Sequence, residues 1–151
     1  MADITLRPAT PADLSAVIAL IEAGHMPTWD TEEHLRNFVV AEQDGRIVGC
    51  GGFEAYLGGK TALVRSMSVD ESLRGSGLGT RILDWVVERA RSEGLTNFYL
   101  FTMTARDFYV KFGWVDTTLD DFPEAARDAT QYKMARQFGS QLPDLVAMKK
   151  T

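Results

Sequence analysis

Cross-linking capacity is the first thing this chain lacks. Cys50 is the only cysteine in 151 residues, so no disulfide framework can form within the chain, and a reducing compartment fits best. An excess of positive charge is also missing. Sixteen Lys and Arg stand against 21 Asp and Glu, a formal net charge of -5. That balance argues against a broad nucleic-acid footprint, while leaving room for a local positive pocket around one phosphorylated small molecule. The opening Met1-Ala2-Asp3-Ile4-Thr5 has no basic patch followed by an apolar run, so no secretory leader is expected. The apolar stretches are too short to cross a bilayer. These absences predict a cytoplasmic protein with no membrane and no nucleic-acid partner.

No repeat, low-complexity stretch or Pro/Gly/Ser-rich linker divides the chain. The reading is therefore one domain over residues 1–151, a length that buries a sizeable core without disulfides or metals. Ile4 to Arg7 alternates like a first strand. Thr10-Pro11-Ala12-Asp13 reads as a helix start, with a cap, a proline at the first helical position and an acid three residues on. Leu14, Val17, Ile18 and Ile21 follow at helical spacing, and Gly24 can stop the helix. A second, short helix is expected from Asp30 or Thr31, with Leu35 and Phe38 facing inward.

Phe38 to Ala41 and Arg46 to Cys50 read as strands joined by a turn at Gln43-Asp44-Gly45, the second running on towards Tyr56. Gly58-Gly59 suggests another hairpin turn and Ala62 to Val69 a further strand. Leu78, Ile82, Leu83, Val86 and Ala90 mark one face of an amphipathic helix that Gly94 ends. Phe98 to Met103 reads as a buried strand, Ala105 to Phe112 as a short helix, and Gly113-Trp114-Val115 as the opening of another strand. Residues 120–138 are expected to be helical or irregular, and Leu145 to Met148 a last strand. The order β-α-α-β-β-β-α-β-α-β predicts a mixed α/β sheet with helices on both faces.

The most informative feature is Arg74-Gly75-Ser76-Gly77-Leu78-Gly79, placed between a strand and a helix. Glycines at alternate positions strip side chains from the turn, so backbone N–H groups can approach a ligand closely. The helix that follows adds its unbonded N–H groups and the positive end of its dipole. Together they suit a phosphate or pyrophosphate. A dinucleotide fingerprint would need a glycine where Thr80 stands, and a P-loop would need Gly-Lys-Ser/Thr, so neither fits. A glycine-rich turn with no ligand is the alternative.

Arg74-x-x-Gly77-x-Gly79 resembles the Arg/Gln-x-x-Gly-x-Gly/Ala signature of the GNAT (Gcn5-related) N-acetyltransferases, and Met67-Ser68-Val69-Asp70 is similar to the strand that leads into it. Ala105-x-x-Phe108-Tyr109-x-x-x-Gly113-Trp114 independently resembles the family's Ala-x-x-Phe-Tyr-x-x-x-Gly-Phe segment. The resemblance implies the GNAT fold, an α/β (α+β) arrangement with a mixed central sheet of six to seven strands and helices on both faces. It implies acetyl-CoA as co-substrate and no metal. It places the coenzyme A pyrophosphate on Arg74, Gly75, Ser76, Gly77, Leu78, Gly79 and Thr80. The pantetheine arm would pair with the backbone of Met67, Ser68 and Val69, where two sheet strands splay apart. A homodimer is compatible with the family.

Acetyl transfer needs a neutral amine, a polarised thioester carbonyl and a proton for the departing thiolate. Tyr109 matches the position that often serves as general acid in the family. Its phenol, with an ordinary pKa of about 10, is protonated at neutral pH. A packed core tyrosine is the alternative. Glu54, an acid inside Cys50-Gly51-Gly52-Phe53-Glu54-Ala55-Tyr56, is the candidate base, accepting a proton through water; the alternative is a strand-edge glutamate facing solvent. His25, His34 and Cys50 lack metal-ligand spacing; surface positions are expected for the histidines, with one of them lining the acceptor pocket as the alternative. Arg65 lies in an apolar strand, where alternation would put it on one face with Met67 and Val69. A buried guanidinium wants a partner, either a fixed acid or the carboxylate of an acceptor.

Arg65-Ser66, Gly77-Leu78-Gly79, Thr102-x-Thr104-Ala105, Phe122-Pro123-Glu124-Ala125 and Thr130-Gln131-Tyr132 resemble one GNAT branch in particular, which holds acetyltransferases of arsenic-resistance operons and enzymes similar to N-acetylglutamate synthase. The branch's Cys-Pro pair near the C-terminus is replaced here by Gln141-Leu142-Pro143, which removes any case for arsenic binding by a thiol there. The branch implies a small amino-acid-like amine acceptor. A protein or peptide amine, or a non-catalytic acyl-CoA sensor, are the alternatives.

Overall fold

The computed structural model describes residues 3–151; Met1 and Ala2, part of the stretch read for a leader, lie outside the described residues. Seven strands form one mixed sheet: β1 (Thr5–Pro8), β2 (Phe38–Gln43), β3 (Arg46–Tyr56), β4 (Thr61–Val69), β5 (Asn97–Thr102), β6 (Val115–Thr117) and β7 (Val146–Lys150), in the order β1-β2-β3-β4-β5-β7-β6. The helices are α1 (Leu14–Ala23), α2 (Thr31–His34), α3 (Leu78–Ser92), α4 (Arg106–Val110) and α5 (Thr130–Phe138). No helix among the described residues is long and apolar enough to cross a membrane.

The chain divides into two compact units. Among the described residues, the first comprises those up to Phe53 with Arg65–Arg89, the second Glu54–Val64 with Ala90–Thr151. In the first unit, β1 and β2 pair antiparallel, as do β2 and β3, with a bulge between Ala41 and Glu42. Asp44 and Gly45 both take positive φ, 52° and 76°, which is what a tight hairpin turn demands. The helix start at Thr10 forms as expected. Thr10 N–H donates to Asp13 Oδ2 at 2.8 Å, Arg7 grips the same carboxylate at 2.8 Å, and a 3-10 turn at Pro11–Asp13 leads into α1.

Two apolar layers cover opposite faces of β3. Val17 and Ile21 of α1 pack with Leu35, Phe38, Val40 and Cys50. On the alternate face stand Gly49 and Gly51, against Leu78 and Ile82 of α3. A Cβ at Gly49 would lie 2.8 Å from Ile82 Cδ1, and one at Gly51 2.8 Å from Ile82 Cγ2. These glycines let the helix press directly onto the strand. The inward face of α3 is the one read from spacing, with Leu78, Ile82, Leu83, Val86 and Ala90 all buried.

In the second unit, β4 and β5 run parallel from the pair Thr61–Asn97 to Val64–Leu100, and β7 lies antiparallel between β5 and β6. Leu63, Tyr99, Phe122, Ala126, Ala129 and Tyr132 build its core on one face, with Tyr56 packed against them. Phe98 and Trp114 meet edge to face at 6.4 Å. The stretch read as helical or irregular resolves into two 3-10 turns, Leu119–Asp121 and Glu124–Asp128, followed by α5.

Candidate active site

The glycine loop is built from both sides. Asp70 N–H donates to the Val48 carbonyl at 2.8 Å, tying the end of β4 to β3. The Asp70 carboxylate then accepts from the Ser72 N–H at 3.0 Å and the Ser72 hydroxyl at 2.7 Å, capping a 3-10 turn at Glu71–Leu73. The Ser72 hydroxyl bond is the main reason the Asp70 carboxyl sits below the ordinary carboxylate range. Beyond exposed Arg74, Gly75 and Gly77 take φ of 82° and 89°, the left-handed region that costs a side-chain-bearing residue about 1–2 kcal/mol. Nothing lies within 4 Å of where a Cβ would stand on either, so the left-handed backbone, not crowding, calls for glycine. Gly79 differs: it belongs to the first turn of α3 and has no positive φ.

Hydrogen bonding in the loop is sparse. Ser76 N–H reaches the Leu73 carbonyl, Leu78 N–H reaches Ser76 Oγ at 3.4 Å, and Arg81 N–H closes the first helical bond onto Gly77. Among the described residues, the N–H groups of Gly75, Gly77, Gly79 and Thr80 have no acceptor. A run of unbonded donors at the positive end of α3, beside an exposed arginine, is chemically an anion cradle.

The second half of β4 departs from simple alternation. Ser66 takes φ +60°, an uncommon conformation for a residue with a side chain, and the strand turns over at that point. Met67 packs with Ile82 on the α3 side of Gly51. Arg65 points the other way, into the segment after α1. The expectation that Arg65 and Met67 share a face is therefore corrected: a left-handed residue between them reverses the period. Ser68 is buried, and its Oγ has no hydrogen-bond partner among the described residues. The Cys50 thiol, which donates to the Ser66 carbonyl, is pushed up to about 12 by burial, so it is an inert core group.

Arg65 is 4% exposed and held on three sides. Nη1 donates to Asp30 Oδ1 at 2.7 Å, Nη2 to the Trp29 carbonyl at 2.8 Å, and Nε to Ser66 Oγ at 3.2 Å. Of the two partners expected for it, a fixed acid is present. Spacing along the chain could not identify Asp30 as that acid. One local signal existed: Asp30 takes φ +50°, a conformation that Asp and Asn adopt more readily than most residues. His34, on α2, lies 3.9 Å from the same carboxylate, and His25 is exposed. Asp30 also borders an open depression of about 570 Å³ lined with Ile18, Thr28, Thr31, Glu32 and Glu33.

In the second unit, Glu54 is 1% exposed, so it is an interior glutamate and not one facing solvent. Tyr56, two residues on along β3, donates its hydroxyl to Glu54 Oε1. Tyr109 sits on α4, which starts where Thr102 Oγ1 accepts from the Ala105 N–H at 3.0 Å. Its ring meets Phe108 at 5.2 Å and Trp114 at 5.7 Å, both edge to face. The phenol has no hydrogen-bond partner among the described residues, and burial pushes its pKa well above the ordinary value. It is protonated at any physiological pH. Trp114 Nε1, in the same aromatic group, is likewise buried without a partner among the described residues.

The acetyltransferase (GNAT) family profile matches residues 8–114. An amino-acid acetyltransferase of Ralstonia nicotianae is 33% identical over 129 residues, covering 81% of this chain and 29% of that protein. An uncharacterized N-acetyltransferase of Chlorobaculum tepidum is 30% identical, covering 85% of this chain and 87% of that protein. Among solved structures, N-acetylglutamate synthase from Neisseria gonorrhoeae, complexed with coenzyme A and N-acetyl-glutamate, superimposes with a TM-score of 0.80. The identity is 21%, over 99% of this chain and 35% of that one. Rv2747 from Mycobacterium tuberculosis, in complex with CoA and NLQ, gives 0.78 at 20% identity over 96% and 97%. The chain thus spans about 30% of the length of the amino-acid acetyltransferases it matches.

Proposed function

This chain belongs to the GNAT acetyltransferase family, and we propose that it transfers the acetyl group of acetyl-CoA to the amine of a small amino-acid acceptor, residues 1–151 acting as one catalytic domain. The observation that carries the cofactor half is the row of N–H groups on Gly75, Gly77, Gly79 and Thr80 without acceptors among the described residues. A pyrophosphate would satisfy them, with Arg74, Ser76 and Leu78 completing the loop around it. Backbone groups of Met67, Ser68 and Val69 would carry the pantetheine arm. The acceptor half rests on the names of the relatives and on the acidic depression beside Asp30, which suits an approaching ammonium group.

In this reading Glu54 is the base that takes the amine's proton, and Tyr109 the acid that protonates the departing thiolate. A protonated phenol with no partner among the described residues is a donor free to meet a thiolate as it forms. Arg65 would reach an acceptor carboxylate only by exchanging contacts it already makes. Its proposed part is to hold the Trp29–Asp30 corner, and through it the acceptor. The test is release of free coenzyme A from acetyl-CoA across a panel of L-amino acids and a peptide N-terminus, beside a no-acceptor control. Release with an amino acid supports the proposal. Release only with the peptide shifts the acceptor class, and release with none leaves an acyl-CoA-binding module.

A further inference from the structure

We propose that Tyr56 relays the acceptor's proton to Glu54. The inference rests on the reading of Glu54 as the base and deepens it. A base has to meet the proton it removes, yet Glu54 is 1% exposed, closed off from anything the size of an amino acid. Tyr56 keeps part of its surface open. Residues two apart on a strand share a face, so the Tyr56 ring leans back over Glu54 and its hydroxyl donates to Oε1. The ring is held by the core formed by Leu63, Tyr99, Phe122 and Tyr132, which fixes the direction of that bond. The less buried member of the pair is therefore a tyrosine, whose hydroxyl can accept one proton while it donates another.

The step balances without a co-reactant. An ammonium N–H bond breaks as a new O–H bond forms on Tyr56. The original Tyr56 O–H bond breaks as one forms on Glu54, so the carboxylate becomes a carboxylic acid and the phenol is unchanged. The amine, now neutral, attacks the thioester.

The experiment uses the full chain with acetyl-CoA and L-glutamate, or the fastest other acceptor of the amino-acid panel, and follows kcat against pH. Tyr56→Phe should lower kcat about 10²–10⁴-fold near neutral pH, the range of general acid–base groups, while the KM for acetyl-CoA stays put. The loss should shrink as pH approaches the amine's own pKa, because an amine that is already neutral needs no relay. Glu54→Gln should show the same convergence. Glu54→Asp, which keeps the carboxylate but draws it away from Tyr56, should follow suit and serves if Tyr56→Phe unfolds. A pH-independent loss in Tyr56→Phe would mark a structural role and overturn the relay. Wild-type rates in Tyr56→Phe with a crippled Glu54→Gln would overturn the relay alone. Wild-type rates in Glu54→Gln would overturn the base assignment itself, and a silent panel the amino-acid reading with it.

Discussion

Arg65 and Asp30 are separated by 35 positions in the chain, and Nη1 of the one stands 2.7 Å from Oδ1 of the other. A buried guanidinium stripped of its acid keeps its desolvation cost and loses the compensation. Asn tolerates left-handed backbone as Asp does, so Asp30→Asn removes the charge without straining φ. It should cost about 1.5–3 kcal/mol, the range for hydrogen bonds to charged groups, read from urea unfolding. Arg65→Lys keeps the charge and loses the fork that spans Trp29 and Asp30. It should raise the KM for an amino-acid acceptor and leave acetyl-CoA affinity intact. An unchanged acceptor KM would confine Arg65 to the fold.

The loop glycines should separate into two kinds. Gly77→Ala forces a Cβ into φ 89° and should cost about 1–2 kcal/mol of stability as well as acetyl-CoA affinity. Gly79→Ala lies in a helical turn, where alanine is favoured by up to about 1 kcal/mol. Its thermal midpoint should hold or rise, so any loss of acetyl-CoA binding there would be steric. Calorimetry and thermal unfolding on both variants measure this. Equal destabilisation by the two would contradict the loop geometry.

Tyr109→Phe deletes a hydroxyl that bonds to nothing among the described residues. Stability and acetyl-CoA affinity should stay near wild type while kcat falls about 10²–10⁴-fold where chemistry limits the rate. The raised phenol pKa has a stability consequence of definite sign. The folded chain holds that proton more tightly than the unfolded one, whose value is about 10. Stability from this group is complete below pH 10 and declines above it, and Tyr109→Phe should flatten that decline in alkaline unfolding curves.

At the acid end the relevant group is Asp13. Its hydrogen bond with Arg7 is the main reason its carboxyl is held at about 2, below the ordinary carboxylate value. Its contribution is present above the unfolded value of about 3.9 and is lost as pH falls towards 2. With solvent screening around partly exposed Arg7, that contribution is on the order of 1–2 kcal/mol. Asp13→Asn should be less stable by that amount at pH 7 and should converge with wild type near pH 2 in acid unfolding.

Short-range physics governs what could be read without coordinates. Thr10-Pro11-Ala12-Asp13 starts its helix because cap, proline and acid act within one turn. The inward stripe of α3 follows from a 3.6-residue period, and Gly75 and Gly77 announce a turn because left-handed backbone excludes most other residues. The family signature carried the rest of the glycine loop. Gly79 was grouped with its neighbours, since the point where a loop becomes a helix depends on which carbonyl Arg81 reaches.

Tertiary structure alone decided the remainder of the site. A serine at position 66 gives no hint of φ +60°, yet that one residue reverses which faces Arg65 and Met67 occupy. Whether Glu54 met water or core depended on what covers its strand, and pairing it with Tyr56 required the core that holds the tyrosine ring. Asp30 became the partner of Arg65 through the path of the chain between α1 and α2. Local preference acts over a few residues, whereas a buried charge is matched by whichever group the fold delivers to it, and that delivery is written in no single stretch of sequence.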